Sequence, residues 1–91
     1  MSDMQAKSAF IIRTDGLKSR AATEFSQAAS SFKSGVWLEK GNRRVNAKSL
    51  LGILSLAISC GDEINILADG EDEEKAVDVL SDMLTESNVD S

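Results

Sequence analysis

Val45–Cys60, VNAKSLLGILSLAISC, sets one serine directly before a nearly continuous apolar run. Leu50, Leu51, Ile53, Leu54, Leu56, Ala57 and Ile58 make that run, which predicts a short amphipathic helix with Ser49 as its N-cap. A capping box wants Glu or Gln three residues after the cap, and Gly52 stands there instead. The first-turn N–H groups are therefore without a side-chain carboxylate partner. Such a helix end favours an anion through its donors and its dipole. A phosphate on Ser49 would add about two negative charges where that field accepts them, with Lys48 adjacent to help hold it. Most serines before helices are plain caps, worth about 1 kcal/mol, and that is the commoner reading of this one on physics alone. The run is too short to span a bilayer, which takes about 20 apolar residues. Leu50, Leu51 and Leu54 lie close together at helical spacing. They are either core or, if partly exposed, a docking patch for a partner.

Outward from this stretch, Lys7–Arg13 (KSAFIIR) reads as a strand and Thr14-Asp15-Gly16 as the turn that breaks it. From Ser19, the residues Ala21, Ala22, Phe25, Ala28, Ala29 and Phe32 recur on one helical face, and Ser34-Gly35 ends that helix. Val36–Lys40 and Arg43–Asn46 form a strand pair across the two-residue turn Gly41-Asn42. Trp37 reads as packing, since no second aromatic accompanies it in that pair. Ser59–Glu63 is a loop, Glu63–Ala68 a strand and Asp69-Gly70 a break. Glu71, Asp72, Glu73 and Glu74 open a last helix whose buried face is Ala76, Val77, Leu80, Met83 and Leu84. The acidic run is explained as a solvated first turn with carboxylates of ordinary pKa and no metal. The order is β-α-β-β-α-β-α. At this length the economical solution is one mostly antiparallel sheet with the helices on one face.

The chain of 91 residues is expected to make a single domain over 1–91, with 1–6 and 87–91 frayed. Its one cysteine, Cys60, permits no internal disulfide and is expected to be a small buried hydrophobe. With no histidine and no second cysteine there is no zinc site of the usual kind. The segment MSDMQAKSAFIIR lacks a signal-peptide core, so a cytoplasmic location is expected. Residues 1–48 carry nine Lys/Arg against four Asp/Glu, a balance of +5, and residues 49–91 one Lys against eleven Asp/Glu, a balance of −10. Half of such a surface would repel phosphates, which argues against direct nucleic-acid binding. The basic half suits an acidic partner instead, provided the segregation persists in space.

Enzymatic activity is not expected. No histidine is present for general-base work near neutral pH, and no glycine-rich phosphate cradle appears. Lys18, at a helix start, has no evident hydrophobic pocket to lower its pKa for Schiff-base chemistry.

The residues together resemble the histidine-containing phosphocarrier (HPr) family of the bacterial sugar phosphotransferase system, over about Lys7 to Glu86. The likeness rests on the element order and on Gly16-Leu17-x-x-Arg20-x-Ala22. It rests also on Val45-Asn46-x-Lys48-Ser49-Leu50-Leu51-Gly52-x-x-Ser55-Leu56 and on Gly70-Glu71-Asp72-Glu73. It implies an α+β fold, an HPr-like open-faced β-sandwich with a four-stranded antiparallel sheet and three helices on one face. The family's active motif reads Gly-(Leu/Ile)-His-Ala-Arg-Pro-Ala, where this chain has Gly16-Leu17-Lys18-Ser19-Arg20-Ala21-Ala22. Lys18 occupies the phosphoacceptor position and Ala21 that of the helix-starting proline. The resemblance therefore implies no catalytic residue, no cofactor, and loss of phosphorelay from enzyme I to the sugar permeases.

The resemblance also implies that Ser49 corresponds to the serine phosphorylated by HPr kinase/phosphorylase. The phosphoprotein then acts as corepressor with a LacI-type catabolite control regulator. A subgroup, the catabolite-repression HPr-like proteins (Crh), lacks the histidine and keeps this serine, and usually carries glutamine where Lys18 stands. On that basis Lys18, Arg20, Lys48, Leu50, Leu51 and Leu54 are the expected partner-binding residues of a monomer or weak dimer that engages no membrane. Two alternatives stand beside this reading. One is a degenerate phosphocarrier paralogue acting as an unphosphorylated adaptor or decoy. The other is a carrier that uses Asp15 as an acyl-phosphate acceptor.

Overall fold

Residues 4–11 and 17–85 are described by a computed structural model. Its sheet is built around β4 (Glu63–Asp69), in which Ile64, Ile66 and Ala68 are buried while Glu63 and Asp69 are exposed. That alternation of period two gives a strand one apolar face. Antiparallel to β4 lie β1 (Gln5–Phe10) on one edge and β2 (Gly35–Lys40) on the other, with β3 (Arg43–Asn46) outside β2. The register sets Ala9 beside Ile64, Leu38 beside Ile66 and Val36 beside Ala68, so one face of the sheet is a continuous apolar surface.

Three helices complete the element order expected from the sequence: α1 (Ser19–Ser30), α2 (Leu50–Ser55) and α3 (Glu73–Thr85). α3 lies along β1 and β4, α1 packs on α2 and α3, and α2 meets β3. Phe25, Ala22 and Ala29 of α1, Ile53 of α2, and Ala76, Leu80 and Leu84 of α3 join the sheet residues in one core. Each fully buried large side chain contributes about 1.5–3 kcal/mol relative to its exposed state. The protein is thus an α+β fold with a four-stranded antiparallel sheet and three helices. No helix among the described residues is long and apolar enough to cross a membrane.

The opposite sheet face carries a polar ladder that crosses all four strands. Ser8 Oγ donates to Asn65 Oδ1 at 2.8 Å, Asn65 Nδ2 donates to Glu39 Oε1 at 3.3 Å, and Arg44 donates to Glu39 Oε2 at 3.2 Å. Trp37 lies on this face over Gly35, where an added Cβ would come within 2.7 Å of the indole. The expectation that Trp37 serves packing agrees with that contact.

Several boundaries differ from the sequence reading, each for a physical reason. β1 begins at Gln5, inside the expected frayed segment, because Gln5 and Ala6 pair with Ala68 and Leu67. Its expected end at Arg13, the turn Thr14-Asp15-Gly16 and the tail after Thr85 lie outside the described residues. α1 stops at Ser30, where Ser31 Oγ takes the carbonyl of Ala28 at 2.6 Å. Cys60 is exposed, not buried. It falls in the turn before β4, while Ile58 takes the buried place.

The acidic run also departs from expectation. Asp72 is no idle first-turn carboxylate: it accepts from Lys33 N–H and Ser34 N–H, both at 2.9 Å, and from Ser34 Oγ at 2.5 Å. These bonds tie the start of α3 to the segment that enters β2. The Ser34 hydroxyl and the Lys33 N–H hold its pKa down at about 2, against an ordinary 3.8. The approach is close enough to require glycine at position 70, which sits at φ +153, with Ser34 Cα 2.7 Å from where a Cβ would stand.

Two outcomes are expected. The folded chain favours ionised Asp72, so its stabilisation is present above pH 3.8 and is lost as pH falls toward about 2. Asp72→Asn should lower the thermal midpoint at neutral pH and flatten the acid-induced loss in that window, read by circular dichroism. Gly70→Ala should cost about 2 kcal/mol or more in denaturant unfolding, because strain and a backbone clash act together.

Candidate functional site

Asn46 begins the approach to α2. Its side-chain oxygen accepts from Lys48 N–H at 2.8 Å and its carbonyl from Ser49 N–H at 3.0 Å, a local turn of the kind Asn favours. This presents Ser49 in extended conformation, φ −103 and ψ 115, as the N-cap of α2. Its Oγ accepts from Gly52 N–H at 3.2 Å, and its carbonyl accepts from Ile53 N–H at 3.0 Å. Ser49 is exposed. Gly52 takes the place of a capping-box glutamate because space demands it. A Cβ there would meet Val45 Cβ at 3.3 Å and both Asn46 O and Ser49 Oγ at 3.4 Å.

The three leucines singled out in the sequence divide between the two expected roles. Leu50 is half-buried and packs against the core, whereas Leu51 is 79% exposed and Leu54 37%. Ile53 and Leu56 supply the buried side. The exposed pair is one turn apart on α2, a small apolar face beside Ser49.

Lys18 is the N-cap of α1, with φ −84 and ψ −178, and its side chain makes no cap hydrogen bond. Lys18 and Arg20 are exposed, and neither makes a hydrogen bond or ion pair with another side chain among the described residues. A cation at the positive end of a helix gains nothing from the dipole, so this charge is left for solvent or a partner. Leu17 N–H donates to Ile58 O at 3.2 Å, which joins the start of α1 to the segment leaving α2. Lys48, expected beside the Ser49 hydroxyl, instead donates from Nζ to Phe32 O at 2.9 Å, past the end of α1.

Two cations that the sequence reading passed over close the other end of α2. Arg43 donates to Ser55 O at 2.9 Å, and Lys40 donates to Leu56 O at 3.1 Å and Ala57 O at 2.9 Å. Lys40 also pairs with Asp62 at 2.9 Å. The Ser59 N–H, at 2.8 Å, and then the Lys40 ammonium hold the Asp62 carboxyl below its ordinary pKa. The available signal was the symmetric placement of Lys40 and Arg43 on either side of the Gly41-Asn42 turn.

No group of three or more His, Cys, Asp or Glu positioned for a metal ion occurs among the described residues. A shallow cleft of about 420 Å³ opens at the start of α3, lined by Glu71, Asp72, Glu74, Lys75 and Asp78. Three of its carboxylates are already engaged, Asp72 with Ser34, Asp78 with Lys7 and Glu71 with Lys33.

Comparison with known proteins places this geometry in context. The family profile described as "PTS HPr component phosphorylation site" matches residues 5–86. The HPr-like protein Crh of Bacillus subtilis is 48% identical over 66 residues, covering 72% of this chain and 78% of its own. The phosphocarrier protein HPr of Neisseria meningitidis serogroup A is 43% identical over 81 residues, covering 89% and 91%. The crystal structure of a phosphocarrier protein HPr from Bacillus anthracis superposes with a TM-score of 0.87 at 38% identity, covering 89% of this chain and 96% of that one.

Ser49→Ala should remove one cap bond and cost about 1 kcal/mol, and Ser49→Gly only a few tenths. Urea unfolding of both variants measures this, with an unchanged circular-dichroism spectrum showing that the fold persists.

Proposed function

The chain belongs to the HPr family, and we propose that it is a regulatory member, switched by phosphorylation of Ser49 and unable to carry a phosphohistidine. The observation that supports this reading is the surface beside Ser49: an exposed hydroxyl at a helix N-cap with exposed Leu51 and Leu54 one turn away. The N–H groups of Leu50 and Leu51, in the first turn, have no protein acceptor among the described residues. A phosphate on Ser49 could take them without refolding the helix. It would give a partner a dianion and an apolar face to read together.

HPr kinase/phosphorylase is the enzyme proposed to modify Ser49. The proposed reader is a LacI-type regulator of carbon catabolite repression. Lys18 and Arg20 supply basic contacts from the start of α1, with Leu51 and Leu54 as the apolar ones and Leu50 supporting them from the core side. Lys48 would join only by leaving Phe32. The chain contains no histidine, and Lys18, a fixed cation at the acceptor position, makes a poor phosphoryl acceptor in water. The protein is proposed to act without enzymatic activity, cofactor, direct nucleic-acid contact or membrane, in the cytoplasm, as a monomer or weak dimer.

One observation favours a second reading. Ser49 Oγ already satisfies Gly52 N–H, which is all a plain cap needs to do. In that case the protein is an unphosphorylated adaptor or decoy that binds family partners through the same apolar face. Asp15, the acceptor of the acyl-phosphate alternative, lies outside the described residues.

Incubation with HPr kinase/phosphorylase and ATP, followed by intact mass and fragment mapping, should show one phosphate on Ser49 and none on Ser49→Ala. A folded wild-type protein that takes no phosphate would favour the adaptor. Phosphoenolpyruvate with enzyme I should leave the chain unlabelled; a hydroxylamine-sensitive label would instead support Asp15 as acceptor.

A further inference from the structure

α2 is a helix that its own contacts hold poorly. It has six residues, too few to be stable alone, and among them only Ile53 is buried. Its exit is strained: Ala57 sits at φ +51, in the left-handed region that disfavours a residue with a Cβ. Three successive carbonyls at this end, those of Ser55, Leu56 and Ala57, are all taken by cations of the β2–β3 hairpin. Arg43 holds the first and Lys40 the other two. The Lys40 ammonium reaches Asp62 as well, so one charge joins β2, the exit of α2 and the loop before β4. Cations at a helix C-terminus also oppose its negative dipole end.

We infer that Lys40 and Arg43 are positioning residues: they clamp the C-terminal end of α2 and so set the orientation in which Leu51 and Leu54 meet a partner. The inference rests on the reading of that face as a docking surface, and it adds two residues outside the face on which docking depends. Without the clamp, the last turn is held by Leu56 N–H to Ile53 O and Ala57 N–H to Leu54 O, both at 3.1 Å, around a strained residue. The apolar face then frays from the end that carries Leu54.

The test compares Lys40→Met, Arg43→Gln, their double variant and Lys40→Arg with wild type. Lys75→Met makes the charge change of either single variant on α3. Amide exchange is followed at Ile53, Leu56 and Ala57, with Ile64 and Ile66 of β4 as the global reference. In parallel, HPr kinase/phosphorylase and ATP give KM and kcat for Ser49 phosphorylation. The double variant should exchange about tenfold faster at the α2 amides with β4 unchanged. Its KM should rise about tenfold at constant kcat. Lys40→Arg should restore both to within about threefold, and Lys75→Met should change neither. Wild-type exchange and KM in the double variant would overturn the clamp. So would equal acceleration in β4, which marks a merely global loss, or faster α2 exchange with KM unmoved. If wild type takes no phosphate at all, the Ser49 reading fails by itself. The exchange arm then decides whether α2 is clamped.

Discussion

The sheet is organised on β4, which is hydrogen-bonded to β1 along one edge and to β2 along the other and carries α3 on its apolar face. Its partners β1 and β2 come from distant parts of the chain, so pairing them closes long loops before any ladder bond forms. What compensates is the burial of Ile64, Ile66 and Ala68 against Ala9, Leu38 and Val36 on one side and the helices on the other. A one-residue slip of β4 would send those side chains to the open face. It would also break the ladder from Ser8 through Asn65 and Glu39 to Arg44, whose polar pairs are in step with the same register. Apolar burial and polar pairing therefore specify one alignment from opposite sides of the sheet.

The periphery is held differently. Asp72 pins the entrance of β2 to the start of α3, and Lys40 and Arg43 pin the exit of α2 to the hairpin. In both places a charged group takes several backbone partners, and such charge-assisted bonds are stronger than neutral ones. For α2 this bears on the proposed docking face. A helix anchored by its ends needs less apolar burial, so Leu51 and Leu54 are released from the core and left exposed. A longer, more amphipathic helix would have hidden them.

Much of the fold was legible because its signals are local. Alternation in EINILA, the helical face from Ala21 to Phe32 and the Gly41-Asn42 turn each predict their element without tertiary information. The position of Ser49 as a cap was legible for the same reason. The misreadings of Asp72 and Lys48 come from contacts between residues far apart in sequence. Asp72 looked like one more acid in a first turn, since its partners Lys33 and Ser34 lie 39 and 38 residues away. Lys48 looked available to Ser49, but Phe32 O claims it. Cys60 looked buried by composition, but it falls in the exposed turn before β4, and Ile58 is the residue of this segment that joins the core. The fate of each leucine in α2 depended on packing that periodicity alone does not report.

The charge segregation seen along the sequence is partly cancelled in space, and the remainder is informative. Lys7, Lys33 and Lys40, from the basic half, pair with Asp78, Glu71 and Asp62 of the acidic half. Arg44 pairs with Glu39. Among the described residues, the cations left without a carboxylate are Lys18, Arg20, Arg43 and Lys48, apart from Lys75 on α3. Arg43 and Lys48 flank α2 at its two ends, and Lys18 and Arg20 open the helix packed on it. Exposed charges act over a screening length of about 8–10 Å at physiological salt, so the reach of these four is local. The proposed place of Lys18 at the family's phosphoacceptor position fits this distribution. It adds an exposed positive charge to a surface whose other cations lack carboxylate partners among the described residues, and the proposed regulatory role asks that surface to receive anionic groups rather than to hand on a phosphoryl group.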